Sequence, residues 1–476
     1  MESQNEVHFS PQQSNFSHWT RYLFISWLLT LPFGSNLLGI SLGPLTIYPN
    51  LILTLILAPL GILSFKKWSK LEISILGFLF IWLLFAIFQG QENGFLREEI
   101  FDIRSLIMQF FVAVVLVGTY HSLGKHQFLK FTIIGFRCFL FTLLVAGILE
   151  FLTGIHFAGT KTQELLDLPV GNNFYAPMFI YDNQNDYLAY LIFIFLVLNL
   201  FDEKLRNNNY LQLLFSLVIF VFANYTDSNF AKILSFAIIV LQLLILIYRQ
   251  IQKKKVFDFL PYFVAFVLLA ITVFTNSLFF GPKYENSANY RLNGVQIVNQ
   301  EKGKMEVVAA KEKLSESEQS QVIAYLDSVN TKSPEGSVNL RKNLILNGID
   351  FIKTAPVFGL GPGGFALKIK RNEHKHFIHT HTSSHNFPIE IISEFGVFAW
   401  IYFAIILIVL VAISKLHKFI SSVHKIALLQ LLIALPFLWM MPSAYLYLTI
   451  HWLFLPLLLI QLLLIQEKSI LNERKQ

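Results

Sequence analysis

The chain has 476 residues, 54% of them hydrophobic and 14% charged, with a mean hydropathy of +0.56. That composition excludes a soluble globular chain and points to a membrane solvent. The apolar runs are continuous and do not alternate, which excludes a transmembrane β-barrel. The formal net charge is +7, but the Lys and Arg residues sit in short linkers between apolar runs, the pattern of positive-inside orientation and not of a nucleic-acid surface.

The first twenty residues are polar, without the basic start and small-residue cleavage site of a signal peptide, so the N-terminus is expected in the cytoplasm. Spans are expected at 21–34, 45–65, 71–89, 105–121, 128–151, 186–202, 210–225, 229–248, 259–280, 394–414, 424–441 and 445–465. In hydrocarbon each must be a helix, because no other single segment satisfies its own backbone. The fold class is therefore an all-α integral membrane protein of about 12 transmembrane helices. Cys138 is the only cysteine and lies inside the fifth run, so neither a disulfide framework nor a thiolate metal cage is available. Alternate linkers collect Lys66, Lys67 and Lys70, then Lys125 and Lys130, Lys204 and Arg206, Arg249, Lys415, Lys418 and Lys425, and Lys468. Both termini are then cytoplasmic.

Two segments on the other side stand out, Thr153–Gln184 and Gly281–Ser393, and long loops in compact proteins usually carry function. The chain thus divides into 1–280 with nine helices, an extracytoplasmic loop over 281–393 between helices 9 and 10, and 394–476 with three helices. Pro282–Ser337 is polar and reads as a solvent-facing insertion, with a surface helix near Lys304–Val329. Between Asn339 and Thr354, Leu340, Leu344, Ile345, Ile349 and Ile352 recur at helical spacing, as on an amphipathic helix lying on the bundle.

Four features of this region carry chemistry. The run from Ala355 to Phe365 contains Gly359, Gly361, Gly363 and Gly364, and such a loop exposes backbone N–H groups to a phosphate. It is neither a Walker motif nor a dinucleotide fingerprint, and a simple turn explains it as well. His374, His376, His379, His381 and His385 follow. They tempt a metal reading, but no carboxylate or cysteine stands at ligand spacing before Glu390, so no metal site is assigned. One histidine suffices as acid or base, and His385, nearest the next span and followed by Asn386, is the choice. Among Arg97, Arg104, Arg291, Arg341 and Arg371, Arg341 is best placed to hold a phosphate, with interfacial snorkelling as the bland account. Finally, Asp182–Asp186 opens the sixth span and Tyr225–Asn229 precedes the eighth, with Lys232 just inside it. Polar groups at such depth are functional candidates, although Asn and Asp also serve as helix caps.

Taken in order, Arg341, the run Pro356–Phe365, His385-Asn386 and Glu394-Phe395-Gly396 resemble the hallmark segment of the bacterial O-antigen ligase and O-antigen polymerase superfamily. Asn183–Ala189 is similar to the Asn-Pro-Asn stretch of its members. The resemblance implies a bundle like the C-type glycosyltransferases in the bacterial plasma membrane. Such an enzyme takes glycan from an undecaprenyl-diphosphate-linked donor and joins it to a glycan acceptor on the outer face, polymerising surface polysaccharide or, alternatively, ligating it to a lipid or protein. It needs no cofactor and no metal, and polysaccharide-assembly proteins are further partners in the bilayer. The resemblance makes His385 and Arg341 catalytic. Arg291, Gly359, Gly361, Gly363, Asn386, Asn185 and Lys232 would touch substrate, and Glu394 and Gly396 would brace the loop. Two departures stand out: Ser228-Asn229 replaces a Ser-Arg pair, and Lys161 is the only cation in the loop over 153–184. A lipid-linked-sugar transporter is the rival reading, and it predicts inverted repeats that the sequence lacks.

Overall fold

A computed structural model describes residues 11–31, 40–42, 45–94, 96–153, 179, 181, 184–225, 229–253, 290–292, 295–300, 304–310, 336–376, 383–440 and 449–473. The helices are α1 (Pro11–Thr30), α2 (Pro49–Ile62), α3 (Lys70–Asn93), α4 (Arg97–Leu123), α5 (Lys125–Thr153), α6 (Gln184–Phe201), α7 (Glu203–Asn207), α8 (Asn209–Tyr225), α9 (Asn229–Lys253), α10 (Gly336–Thr354), α11 (Gly364–Lys370), α12 (Phe387–Phe395), α13 (Val397–Lys415), α14 (Ser422–Leu438) and α15 (Thr449–Glu473). Eleven of the twelve expected stretches overlap one of these, and the run 259–280 lies outside the described residues. Five helices, α3, α4, α5, α13 and α15, are long and apolar enough to cross a membrane, and five shorter apolar helices accompany them. The chain is a multi-pass membrane protein.

Burial sorts the helices by their sequence pattern. From Tyr187 to Leu200 α6 is buried almost without interruption, as is α15 from Ile450 to Leu462. A helix apolar all round is one that neighbours enclose. In contrast α13 turns Trp400, Leu407 and Ile408 outward, where lipid is as good a solvent as protein. Close approach is bought by small residues: at the crossing of α2 and α4, a Cβ on Gly118 would stand 2.1 Å from Gly61 Cα. Trp27 Nε1 donates to Thr54 Oγ1 at 2.8 Å and so has its indole N–H satisfied in the core.

The two ends of the bundle differ. At one, Ser69 and Glu72 form a capping box that starts α3, Glu72 meets His121 at 2.6 Å, and Glu467 accepts from the Tyr120 hydroxyl at 2.6 Å and pairs with Lys125 at 3.3 Å. This basic end gathers Lys66, Lys67, Lys70 and Lys468. At the other, acidic end, Glu98, Glu99 and Asp102 open α4, where the helix dipole favours carboxylates.

Three expectations are corrected here. Over Lys304–Ala310 the chain is a strand, not the start of a helix. It pairs antiparallel with Val295–Gln300, which pairs with Tyr290–Leu292, and the β-branched Val307 and Val308 suit that pleated state. Residues 311–329 lie outside the described residues. A hairpin, Ile40–Leu42 with Leu45–Ile47, also enters the otherwise helical chain. The tenth span begins at Val397 rather than 394, because Gly396 at φ 50° breaks α12 from α13.

Candidate functional site

The site is built at the acidic end by α10, the glycine run, α12 and the first turns of α4. On α10, Leu344 of the expected stripe and Phe351, which lies outside it, pack with Phe365 and Ile369 of α11. Gly348 lets α10 lie on α12 so closely that a Cβ would stand 2.2 Å from Ile389. Arg341 lies two turns before Gly348, half-buried, with its guanidinium 5.1 Å from the Phe230 ring centroid, a cation–π distance. Among the described residues it has no carboxylate partner and no hydrogen bond. An arginine held by a ring face keeps all five donors for another acceptor.

The glycine run is folded inward. Gly359 N–H donates to Ala355 O at 3.0 Å, Leu360 N–H to Ser393 O at 2.9 Å and Gly361 N–H to Glu394 O at 2.9 Å. Gly363 N–H donates to the Asp102 carboxylate and Phe365 N–H to Glu394 Oε1 at 3.2 Å. Val397 N–H closes the ring on Val357 O at 2.7 Å. This differs from a phosphate-facing loop, and the reason is that these donors already have protein acceptors. The glycines are needed for shape. Gly359, Gly361 and Gly363 have φ of 74°, 86° and 68°, the left-handed region that only glycine enters freely. A Cβ on Gly359 would lie 2.2 Å from Glu394 O, and one on Gly396 would lie 2.2 Å from Val357 O.

Beneath this loop stand buried carboxyls. Burial raises Glu394 well above the usual carboxylate range, and the neighbouring Asp102 pushes in the same direction. Burial also raises Glu390, and it outweighs three hydrogen bonds that Glu390 Oε2 accepts: from Ser383 Oγ at 2.9 Å, Ser384 N at 2.8 Å and Ser384 Oγ at 2.9 Å. Ser384 Oγ also accepts from Asn386 N–H at 3.0 Å, and Asn386 Oδ1 caps α12 by accepting from Ile389 N–H at 3.2 Å. The Asn386 side-chain oxygen is therefore engaged as a helix cap.

His385 sits between these anchored neighbours, half-buried, at φ 50°. A left-handed backbone at a non-glycine costs on the order of 1–3 kcal/mol and persists where surroundings over-determine it; here Glu390 through Ser384, and the α12 cap, do so. Downstream, Phe387 N–H donates to Trp439 O at 3.0 Å, and the Phe387 and Trp439 rings stand 6.0 Å apart. Phe230 beneath Arg341 contacts Phe437 at 6.5 Å. Phe230, which carries Arg341, and Phe387, two residues after His385, thus both meet the C-terminal end of α14, at Phe437 and Trp439.

The remaining candidates scatter. His376 is clamped by Asn347, whose Oδ1 accepts its N–H at 2.9 Å and whose Nδ2 donates to its O at 2.8 Å. His374 is half-buried on the same stretch, while His379 and His381 lie outside the described residues. No group of three or more metal-ligating side chains exists among the described residues. Asn185 is half-buried in the first turn of α6, and Lys232 is half-buried in the first turn of α9, one residue pair from Phe230. Arg291 is on the strand Tyr290–Leu292, opposite Gln296. Arg97 and Arg104 lie over Phe101 and Tyr48, and Arg371 is exposed after α11. Sequence reasoning missed Glu390 and Asp102. A carboxylate five residues after His385 in an apolar helix was the available signal for the first, whereas Asp102 is 261 residues from Gly363 and left none.

Residues 211–404 match the family model described as O-antigen ligase, a range that takes in Arg341, the glycine run and His385. Over those residues the chain is similar to the O-antigen ligase family. No curated protein matches the chain. Within the matched range Arg341 lies on α10 and His385 in the bend that precedes α12.

Proposed function

We propose that this chain transfers oligosaccharide from an undecaprenyl-diphosphate carrier to a glycan hydroxyl on the outer face of the bacterial plasma membrane, acting as a polymerase of surface polysaccharide. The observation that carries the reading is the Arg341 guanidinium, seated on Phe230 without an ion pair among the described residues. A fixed, permanently charged fork suits a diphosphate bidentately. His385 accepts the proton of the acceptor hydroxyl as its oxygen attacks the anomeric carbon, imidazole being the side chain whose ordinary range allows this near neutral pH. The new C–O bond forms as the bond to the diphosphate oxygen breaks. The electron pair and negative charge leave with the lipid diphosphate, which Arg341 stabilises, and the configuration inverts. Lys232 and Arg291 are proposed as further cations for the donor and Asn185 as a polar contact to it. The glycine run joins α10 to α12 and α4, with Glu394 and Gly396 bracing it. By this reading the acidic end faces outward, the twelve-span topology holds, and 281–393 is the outer loop.

The test is complementation of a deletion strain, scored by the length ladder of surface polysaccharide against membrane protein level. Arg341→Ala and His385→Ala should each lower turnover by about 100-fold or more, as loss of a charge clamp or a general base does. Arg341→Lys, which keeps charge and loses the fork, should retain an intermediate ladder. Wild-type ladders from normally expressed Arg341→Ala or His385→Ala protein would overturn the assignment. Accumulation of full-length carrier-linked polymer in the deletion strain would assign a ligase in place of a polymerase.

A further inference from the structure

The sixth helix ends at an amphipathic cleft that the transferase reading does not use. α5 and α8 both pack on α6. They meet at one end, where Phe151 and Phe222 rings are 6.1 Å apart and a Cβ on Gly147 would stand 2.9 Å from Phe222. About ten residues away, roughly 15 Å along each helix at 1.5 Å per residue, Arg137 of α5 and Leu211 of α8 have separated, and a cavity of about 420 Å³ opens between them. Its walls are apolar, with Phe141, Leu198 and Phe215 among them, and Phe141 is 68% exposed. Its rim is charged. Asp202, buried as the N-cap of α7, receives both Nε and Nη2 of Arg137 at 2.6 and 2.5 Å, so the Asp202 charge is spent on the arginine. The Arg137 side chain is nevertheless 47% exposed, and its Nη1 has no partner among the described residues. Lys204, on the same rim, is exposed and has no ion pair among the described residues. The rim therefore carries one uncompensated positive charge and two outward donors above a greasy, laterally open wedge.

We infer that this cleft binds an anionic glycerophospholipid of the bilayer, its phosphate between Arg137 Nη1 and Lys204 Nζ and an acyl chain in the wedge between α5 and α8. Charge complementarity fixes the headgroup class: a zwitterionic lipid brings its own cation to a rim that already has an excess of one. Apolar walls exclude free phosphate as the main occupant, since burial of the chain supplies most of the affinity. The site rests on the membrane reading alone and stands whatever His385 and Arg341 do.

The experiment uses the full-length protein, delipidated in detergent and examined by native mass spectrometry with phosphatidylglycerol, phosphatidylcholine, undecaprenyl monophosphate or inorganic phosphate. One phosphatidylglycerol should be retained per chain, with phosphatidylcholine bound about fivefold more weakly, the effect of one surface cation on an anionic lipid. Lys204→Ala should weaken phosphatidylglycerol about fivefold. Removing the ion pair as a unit, Arg137→Gln with Asp202→Asn, keeps an N-cap at 202 and should weaken it by a similar factor. Equal retention of the two phospholipids by the wild type would overturn the proposal. So would unchanged phosphatidylglycerol binding in both variants, or its displacement by undecaprenyl monophosphate or inorganic phosphate at equal concentration.

Discussion

His385 takes a left-handed backbone between two residues that have no freedom to move: Ser384 is bound to Glu390, and Asn386 caps α12. On the proposed reading Glu390 is a positioning residue, acting on the imidazole through Ser384 and the backbone. Glu390→Ala should leave Ser383 Oγ and Ser384 N–H without their acceptor, at about 1–3 kcal/mol, and lower polysaccharide turnover with the protein still in the membrane. Glu390→Gln keeps one acceptor oxygen and should restore most of the ladder, a rescue that loss of bulk packing would not show. The carboxyl of Glu394 poses a separate question, because burial and Asp102 raise it far above its ordinary value. In the pH range between the ordinary value of 4.5 and the raised one, the folded chain binds more protons than the unfolded chain, so stability falls as pH rises. The stability from Glu394 is whole below the ordinary value and is lost on ascent. Glu394→Gln, which imitates the protonated form and keeps an acceptor for Phe365 N–H, should flatten this decline in detergent melting curves taken from acid to alkaline pH. A decline as steep as the wild type's would place the titration elsewhere.

The glycine run shows how an element can be legible while its bonding is not. Its density of glycine marks a turn, and at three of its positions φ lies between 68° and 86°, the left-handed region that glycine enters freely. Where the N–H groups point is decided by Ser393, Glu394 and Asp102, side by side in space and from 29 to 261 residues away in sequence, which no local pattern encodes. Gly359→Ala tests the consequence. Its Cβ would meet Glu394 O at 2.2 Å, and the left-handed φ adds on the order of 1–2 kcal/mol. The expected outcome is a fall in membrane-inserted protein together with polymer, whereas a change at a phosphate contact alone would spare expression. The helices themselves were largely visible, because apolar runs of membrane length admit one backbone solution. The strand at Lys304–Ala310 was not, since its charged flanks masked Val307 and Val308 and its register depends on Val295–Gln300. The amphipathic stripe of α10 was visible, but Gly348, the residue that lets α10 reach α12, is silent in a hydrophobic pattern.

Across the whole molecule, charge separates two ends that the fold then uses differently. The basic end is locked by Glu72 with His121 and by Glu467 with Tyr120 and Lys125. The acidic end holds the glycine run against α4 through Asp102, and Lys370 pairs with Glu98 there. On the proposed reading, a positive-inside arrangement would put the basic end in the cytoplasm, and a donor carried on the outer leaflet would then meet Arg341 without crossing the bilayer. Cys138 is the single cysteine, so a Cys138→Ser background lets one new thiol report on one place. Lys375→Cys, on an exposed side chain near His376, should react with a membrane-impermeant maleimide in intact spheroplasts. Lys66→Cys, exposed after α2, should react only after permeabilisation. Substituting Lys66 removes one positive charge among several in that linker, too few to invert a bundle whose orientation is set by repeated Lys and Arg clusters. The reverse labelling pattern would turn the molecule over, placing Arg341 and His385 in the cytoplasm and excluding a donor delivered on the outer face.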